Sequence, residues 1–170
     1  MFRSAAVLVS VAFMLCGCVL QSRAPIYDDT SGELVLGRTG GAALMSSWKD
    51  GAWVRDQDRV SIAIVGQHYE AQAESSTIAL TFVKLRPFWF VLQGAESGKP
   101  AVYMLAEVKG GEAEIHPLAC SDLKKNPAVS KWISHEGEDC FIQPGVPAKE
   151  LFGKLAENPG EATSRIAIAN

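Results

Sequence analysis

The sequence predicts an α+β fold, in which an antiparallel β-sheet meander is followed by a short disulfide-tied helical segment, a C-terminal amphipathic helix and a closing strand. Three observations predict it. Short segments of alternating apolar residues recur between positions 60 and 117 and are separated by turn residues. A stripe of apolar residues at helical spacing follows Pro147, and Cys120 and Cys140 bracket the polar stretch between sheet and helix.

The strands of the meander follow one another at intervals of about 8 to 12 residues, as is typical of antiparallel sheets. Gly66-Gln67 and Gly110-Gly111 are placed to form tight hairpin turns, and Pro87 interrupts the run before a dense apolar strand. The glycine-rich stretch from 37 to 41 is assigned no element. The predicted strands are 60–65, 68–73, 77–84, 88–93, 101–108 and 112–117.

The character of the sequence changes after Cys120. A short helical segment is expected from Asp122, and a second from Pro127, because proline favours the first helical position. A longer helix is expected from Pro147 to about Glu157, with Leu151, Phe152 and Leu155 on its apolar stripe. Residues 164–169 then form a strand that could pair back onto the sheet.

The N-terminus has the layout of a secretory signal peptide. Arg3 precedes an apolar run of roughly ten residues, which is too short to cross a bilayer core of about 20 helical residues. The run ends in Leu15-Cys16-Gly17-Cys18. This motif resembles the lipobox of bacterial lipoproteins, in which a cysteine is acylated before cleavage makes it the new N-terminus. Cys16 departs mildly from the usual Ala or Ser, and a secreted protein cut by ordinary signal peptidase is the alternative.

The resemblance implies that residues 1–17 are a signal peptide and that Cys18 carries the lipid. Residues 18–33 lack clear periodicity and are expected to form a flexible tether, and the length of the remainder predicts one α+β domain over 34–170. The resemblance also implies a protein of the bacterial cell envelope that faces the periplasm and whose first partner is membrane lipid, bound through palmitate-type chains on Cys18. Val19 follows the cysteine where Asp would favour the inner membrane, so the outer membrane is the expected location.

The remaining cysteines, Cys120 and Cys140, are expected to form a disulfide bond. Two thiols left over in an oxidising compartment are more often a disulfide than a metal site or a redox pair. The bond would close a loop of about 20 residues around a polar segment, with roughly 3 kcal/mol of stabilisation.

The charge balance and the lack of known catalytic motifs narrow the classes of function that the sequence predicts. The chain carries 16 Lys and Arg against 19 Asp and Glu and shows no basic stripe, so nucleic acid is not an expected partner. It lacks Gly-x-Ser-x-Gly, and its glycines lack the Lys-Ser/Thr ending of a phosphate cradle. No catalytic residue, metal site or cofactor is therefore expected. The predicted role is a non-enzymatic binding or structural module with an envelope protein or glycan as a further partner.

Two features keep other interpretations open. The cluster containing His135, Glu136 and Asp139 could serve a periplasmic metal-dependent or hydrolytic enzyme, although an acidic surface loop is the preferred interpretation. Trp89 is expected on the sheet face opposite Phe90, where it could be an exposed platform for a ligand or could be covered by another layer. His68 is expected to face solvent.

Overall fold

The computed structural model describes residues 18–72 and 76–169, so the predicted signal peptide at 1–17 and the end of the predicted strand at Ala73 lie outside the described residues. Within these residues, two short helices accompany the strands, α1 (Cys120–Lys125) and α2 (Ala148–Leu155), with a 3₁₀ turn at Ser130–Trp132. The strands are β1 (Leu20–Ser22), β2 (Gly41–Lys49), β3 (Ala52–Val65), β4 (His68–Gln72), β5 (Thr77–Arg86), β6 (Trp89–Glu96), β7 (Ala101–Lys109), β8 (Glu112–Pro117), β9 (Ile133–Glu136), β10 (Asp139–Ile142) and β11 (Ser164–Ala169).

Eight of the strands form a closed antiparallel barrel. β2 to β8 follow one another as a meander, and β11 lies between β8 and β2. Ile166 of β11 is opposite Met45 of β2 on one side and Ala113 of β8 on the other. Because β11 is paired along both of its edges, it joins the two ends of the meander and leaves the barrel without an open edge.

The predicted α+β class is therefore wrong. Strands make up 53% of the chain and helices 12%, so the protein is mostly β. The meander, the C-terminal helix and the strand at 164–169 were placed correctly by their local patterns, but closure of the sheet into a barrel was not predicted. Closure depends on β11 pairing with β2, which a local pattern does not reveal.

Two-residue turns join most neighbouring strands. Asp50 and Gly51, with φ of 50° and 80°, connect β2 to β3, and Gly110 and Gly111, with φ of 61° and 81°, connect β7 to β8. Positive φ at both central residues gives a turn whose twist matches that of the flanking strands, and glycine adopts it without a steric penalty. The hairpin predicted at Gly110-Gly111 is confirmed.

The barrel interior is apolar and nearly filled. Tyr69 and Phe82, both fully buried, pack edge to face with ring centroids 6.0 Å apart. The chain before β2 closes over the interior, because the Leu36 N–H donates to the Tyr69 hydroxyl at 2.9 Å and that hydroxyl donates to the Gly37 carbonyl at 2.9 Å. A cavity lined by Leu36 and by inward-facing residues of β2 to β5 and β11 has a volume of about 30 Å³.

A second apolar core lies outside the barrel, against β6 and β7. β1 lies beside β7, β10 beside β1 and β9 beside β10, so three short strands extend the sheet laterally. Leu151, Phe152 and Leu155, the stripe predicted for the C-terminal helix, are the buried residues of α2 and pack in this core. We call β1, β9, β10, α1 and α2 the lateral module.

Candidate functional site

Cys18 lies where the described chain enters the fold. Its carbonyl accepts the Cys120 N–H at 2.7 Å, and Val19 forms an isolated antiparallel bridge with Ala119. Leu20 is fully buried, and its N–H donates to the Leu118 carbonyl at 3.0 Å. The backbone is therefore fixed to the lateral module from Cys18 onward.

The flexible tether predicted over 18–33 is replaced by packed chain. The Ile26 and Tyr27 N–H groups each donate to Gln93 Oε1 at 3.0 Å, and Gln93 Nε2 donates to the Tyr27 carbonyl at 2.9 Å. The Ser22 and Tyr103 hydroxyls lie 2.7 Å apart in the same buried network. A polar segment without periodicity looks like a linker in sequence, but buried polar side chains of β6 and β7 satisfy its backbone here.

The Cys18 thiol faces a shallow groove between the disulfide and the β9–β10 turn. Lys124, His135 and Glu138 line this groove together with Cys18. Desolvation, followed by the negative charges of Glu138 and Asp139, raises the pKa of the thiol. A raised pKa disfavours the thiolate, which is the form that acts as a nucleophile and as a metal ligand. The surroundings of Cys18 thus do not resemble those of a catalytic cysteine.

The disulfide between Cys120 and Cys140 is present, as predicted. Their Cα atoms are 5.6 Å apart, and both residues are buried. Cys140 is paired with Leu20 in the sheet, and the Cys120 N–H binds the Cys18 carbonyl. The bond therefore joins α1 to β10, the two elements that contact the chain at Cys18 and Leu20.

The proposed catalytic cluster is not assembled as a ligand set. His135 is opposite Cys140 and Glu136 is opposite Asp139, so strand alternation places the imidazole on the other face from the two carboxylates. Glu136 is paired with Arg23 at 2.6 Å, and Asp139 accepts a hydrogen bond from Gln21 at 3.3 Å. All three residues are exposed, as expected of a surface hairpin.

Trp89 was expected either to be an exposed platform or to be covered by another layer. Trp89 does lie on the face opposite Phe90, but it is half-buried between the Arg86 guanidinium, 5.4 Å from its ring, and the His116 ring at 5.0 Å. Trp89 is therefore partly covered, and not an open platform.

His68 was expected to face solvent, but it is buried, with 5% of its surface exposed, because the chain around Asp29 runs beside it.

Sequence reasoning missed a polar cluster on the outer face of the barrel. Glu107 and Glu114 are directly opposite one another on β7 and β8, and His116 lies two residues further along β8 on the same face. The spacing Glu114-x-His116 was visible in the sequence, but the register that adds Glu107 was not. Among residues 18–72 and 76–169, this is the set of three acidic, histidine or cysteine groups close enough to hold a metal ion.

Comparison with known proteins gave no further guide: no family model, no curated protein and no solved structure matches this chain. Within the described residues, none of the helices has the length and apolar character needed to span a membrane.

Proposed function

We propose that this protein is a lipid-anchored protein of the bacterial cell envelope, acylated on Cys18, and that its barrel is a non-enzymatic binding or structural module held at the membrane surface. The observation that carries the proposal is the motif Leu15-Cys16-Gly17-Cys18 placed directly before the folded chain. In this proposal the protein faces the periplasm, on the outer membrane in preference to the inner, because Val19 and not Asp follows the cysteine.

The short distance between Cys18 and the core determines how closely the anchor would hold the domain to the membrane. Leu20 is fully buried, and two extended residues span at most about 7 Å. A flexible tether of fifteen residues would instead have an end-to-end distance of about 21 Å. Acyl chains on Cys18 would therefore hold the lateral module against the lipid headgroups, so the protein would act on partners at the membrane surface.

The disulfide supports the same compartment. Stable disulfide bonds persist in oxidising surroundings such as the periplasm and are rare in the cytosol of most organisms. Both sulfur-bearing residues are buried, and the bond joins two elements of the lateral module. The buried bond is therefore what an exported domain would be expected to contain.

The nearly filled interior favours a partner that binds outside the barrel. Small-molecule pockets are usually about 300–1,000 Å³, whereas the cavity lined by the barrel strands measures about 30 Å³. An envelope protein or a glycan bound at the surface fits this geometry better than a ligand enclosed in the barrel. The separation of His135 from the carboxylates of Glu136 and Asp139 favours a non-enzymatic role.

Metabolic labelling with an alkyne palmitate analogue tests the anchor. Wild-type protein is expected to incorporate the label and to remain with the membranes, and Cys18→Ala is expected to lose both properties. Cys16→Ala is the matched control, because it restores the commoner Leu-Ala-Gly-Cys motif and should label normally. Labelling that persists in Cys18→Ala, or a mature wild-type protein whose N-terminus is not an acylated Cys18 by mass spectrometry, would contradict the proposal.

A further inference from the structure

We propose that Glu107, Glu114 and His116 form a binding site for a divalent transition-metal ion such as Zn²⁺, on the outer face of the barrel where β7 meets β8. This site is separate from Cys18 and does not depend on lipid attachment. It rests on the mutual placement of three ligand groups and on a buried imidazole nitrogen that lacks a protein partner.

The three side chains converge because of strand register. One ligand atom from each residue lies within 4.8 Å of the other two. Two atoms bound at tetrahedral angles to the same Zn²⁺ at about 2.0–2.2 Å are about 3.3–3.6 Å apart. The ligand atoms would therefore have to approach one another by up to about 1.5 Å, which side-chain rotation of the two partly exposed glutamates can supply.

His116 is oriented as metal-binding histidines usually are. Its Nδ1 lies 3.0 Å from the Gly160 carbonyl, which can only accept a hydrogen bond, so Nδ1 carries the proton. His116 is 7% exposed, and its Nε2 is buried without a hydrogen-bond partner. In metal sites, a histidine that binds the metal through one ring nitrogen usually donates a hydrogen bond from the other, often to a backbone carbonyl, as His116 Nδ1 does here. A bound cation would satisfy the Nε2 lone pair.

The charges around the cluster favour a cation. Like charges directly opposite one another on paired strands, as Glu107 and Glu114 are, destabilise a sheet unless they are neutralised. Lys109 contacts Glu107 Oε1 at 2.7 Å, and Arg165 contacts Oε1 of Glu114 and, at 3.3 Å, Oε1 of Glu112. Three carboxylates against two cations leave a net charge of −1.

The ion pairs leave ligand atoms available. Both contacts to Glu107 and Glu114 use Oε1, so Oε2 of each carboxylate can approach a metal without displacing Lys109 or Arg165. One imidazole nitrogen and two carboxylate oxygens with an open fourth position suit Zn²⁺, whereas Mg²⁺ and Ca²⁺ prefer sites made of oxygen alone.

Isothermal titration with Zn²⁺ tests the site. The experiment uses the full-length protein in detergent, without a histidine tag and after treatment with a chelator. Wild type is expected to bind one Zn²⁺ with micromolar or tighter affinity. Glu107→Gln and His116→Gln are each expected to weaken binding at least tenfold, because each removes a ligand.

Two control variants distinguish the site from surface binding. His135→Gln removes an exposed imidazole and Glu138→Gln removes an exposed carboxylate, both on the β9–β10 hairpin and outside the cluster, so both should bind as wild type does. If His116→Gln fails to give the wild-type circular dichroism spectrum, Glu107→Gln decides the matter, because Glu107 is half-exposed. No saturable binding at 100 μM Zn²⁺, or equal affinity in wild type and Glu107→Gln, would overturn the proposal.

Discussion

Removal of the Cys120–Cys140 disulfide is expected to lower the free energy of unfolding by about 3 kcal/mol. The two cysteines are separated by 20 residues. The chain-entropy relation for a loop of that length gives about 11 cal/mol/K, which at 25 °C corresponds to about 3 kcal/mol. For a domain of about 150 residues, each kcal/mol changes Tm by about 2–4 °C, so the expected loss is about 6–12 °C.

Urea unfolding of the double variant Cys120→Ala/Cys140→Ala, followed by tryptophan fluorescence and circular dichroism, measures this change. Wild type treated with a phosphine reductant is the matched control, because it loses the covalent link and keeps both sulfur atoms in the buried core. The strand pairs that close the barrel do not depend on the bond, so the β-sheet signal should survive reduction at low urea. The reasoning is refuted if both proteins unfold within 1 kcal/mol of oxidised wild type.

Two further predictions concern the tyrosines. Tyr69→Phe removes the hydroxyl that joins Leu36 and Gly37 to the barrel wall and leaves no cavity, so urea unfolding should show a loss of about 1–3 kcal/mol; a loss below 0.5 kcal/mol would show that these bonds add nothing net. Burial raises the pKa of all three tyrosines, that of Tyr27 to about 12, so phenolate absorbance at 295 nm should develop mainly above pH 10. Because the folded state then retains protons that the unfolded state releases, the free energy of unfolding should fall as the pH rises from 10 towards 12. A titration in which half of the absorbance change is complete by pH 10 would contradict the raised pKa values.

Local patterns predicted the hairpins because a hairpin is determined by its turn residues and by the strands directly beside them. The Gly110-Gly111 turn and the alternation on either side of it suffice to place two strands. β2 was missed because Gly40 and Gly41 obscure its start. The backbone at Gly41 approaches the Ala169 carbonyl so closely that a Cβ atom there would lie 2.5 Å from that oxygen. A glycine that resembled a loop signal is thus required by strand packing.

The candidate sites likewise differ in whether nearby residues or distant contacts define them. The disulfide could be predicted from the sequence because the number of cysteines is small. The assignment of lipid to Cys18 also comes from the sequence, since its motif is contiguous, and it stays a prediction. The environment of His68 was misjudged, because the chain that covers it, around Asp29, was assigned to a tether. Glu107 joins Glu114 and His116 only through the β7–β8 register, and local alternation does not mark which cross-strand pairs will face one another.

The position of β11 bears on how the protein folds as it is synthesised. Ile166 is paired with Met45, which precedes it by 166 − 45 = 121 residues. A chain that is synthesised from its N-terminus therefore presents unpaired edges on β2 and β8 until β11 has emerged. Such edges are templates for association with other chains, and contacts of this sequence separation form slowly. The newly made polypeptide would therefore be open to association with other chains during that interval, and truncation before residue 164 should direct it to proteolysis.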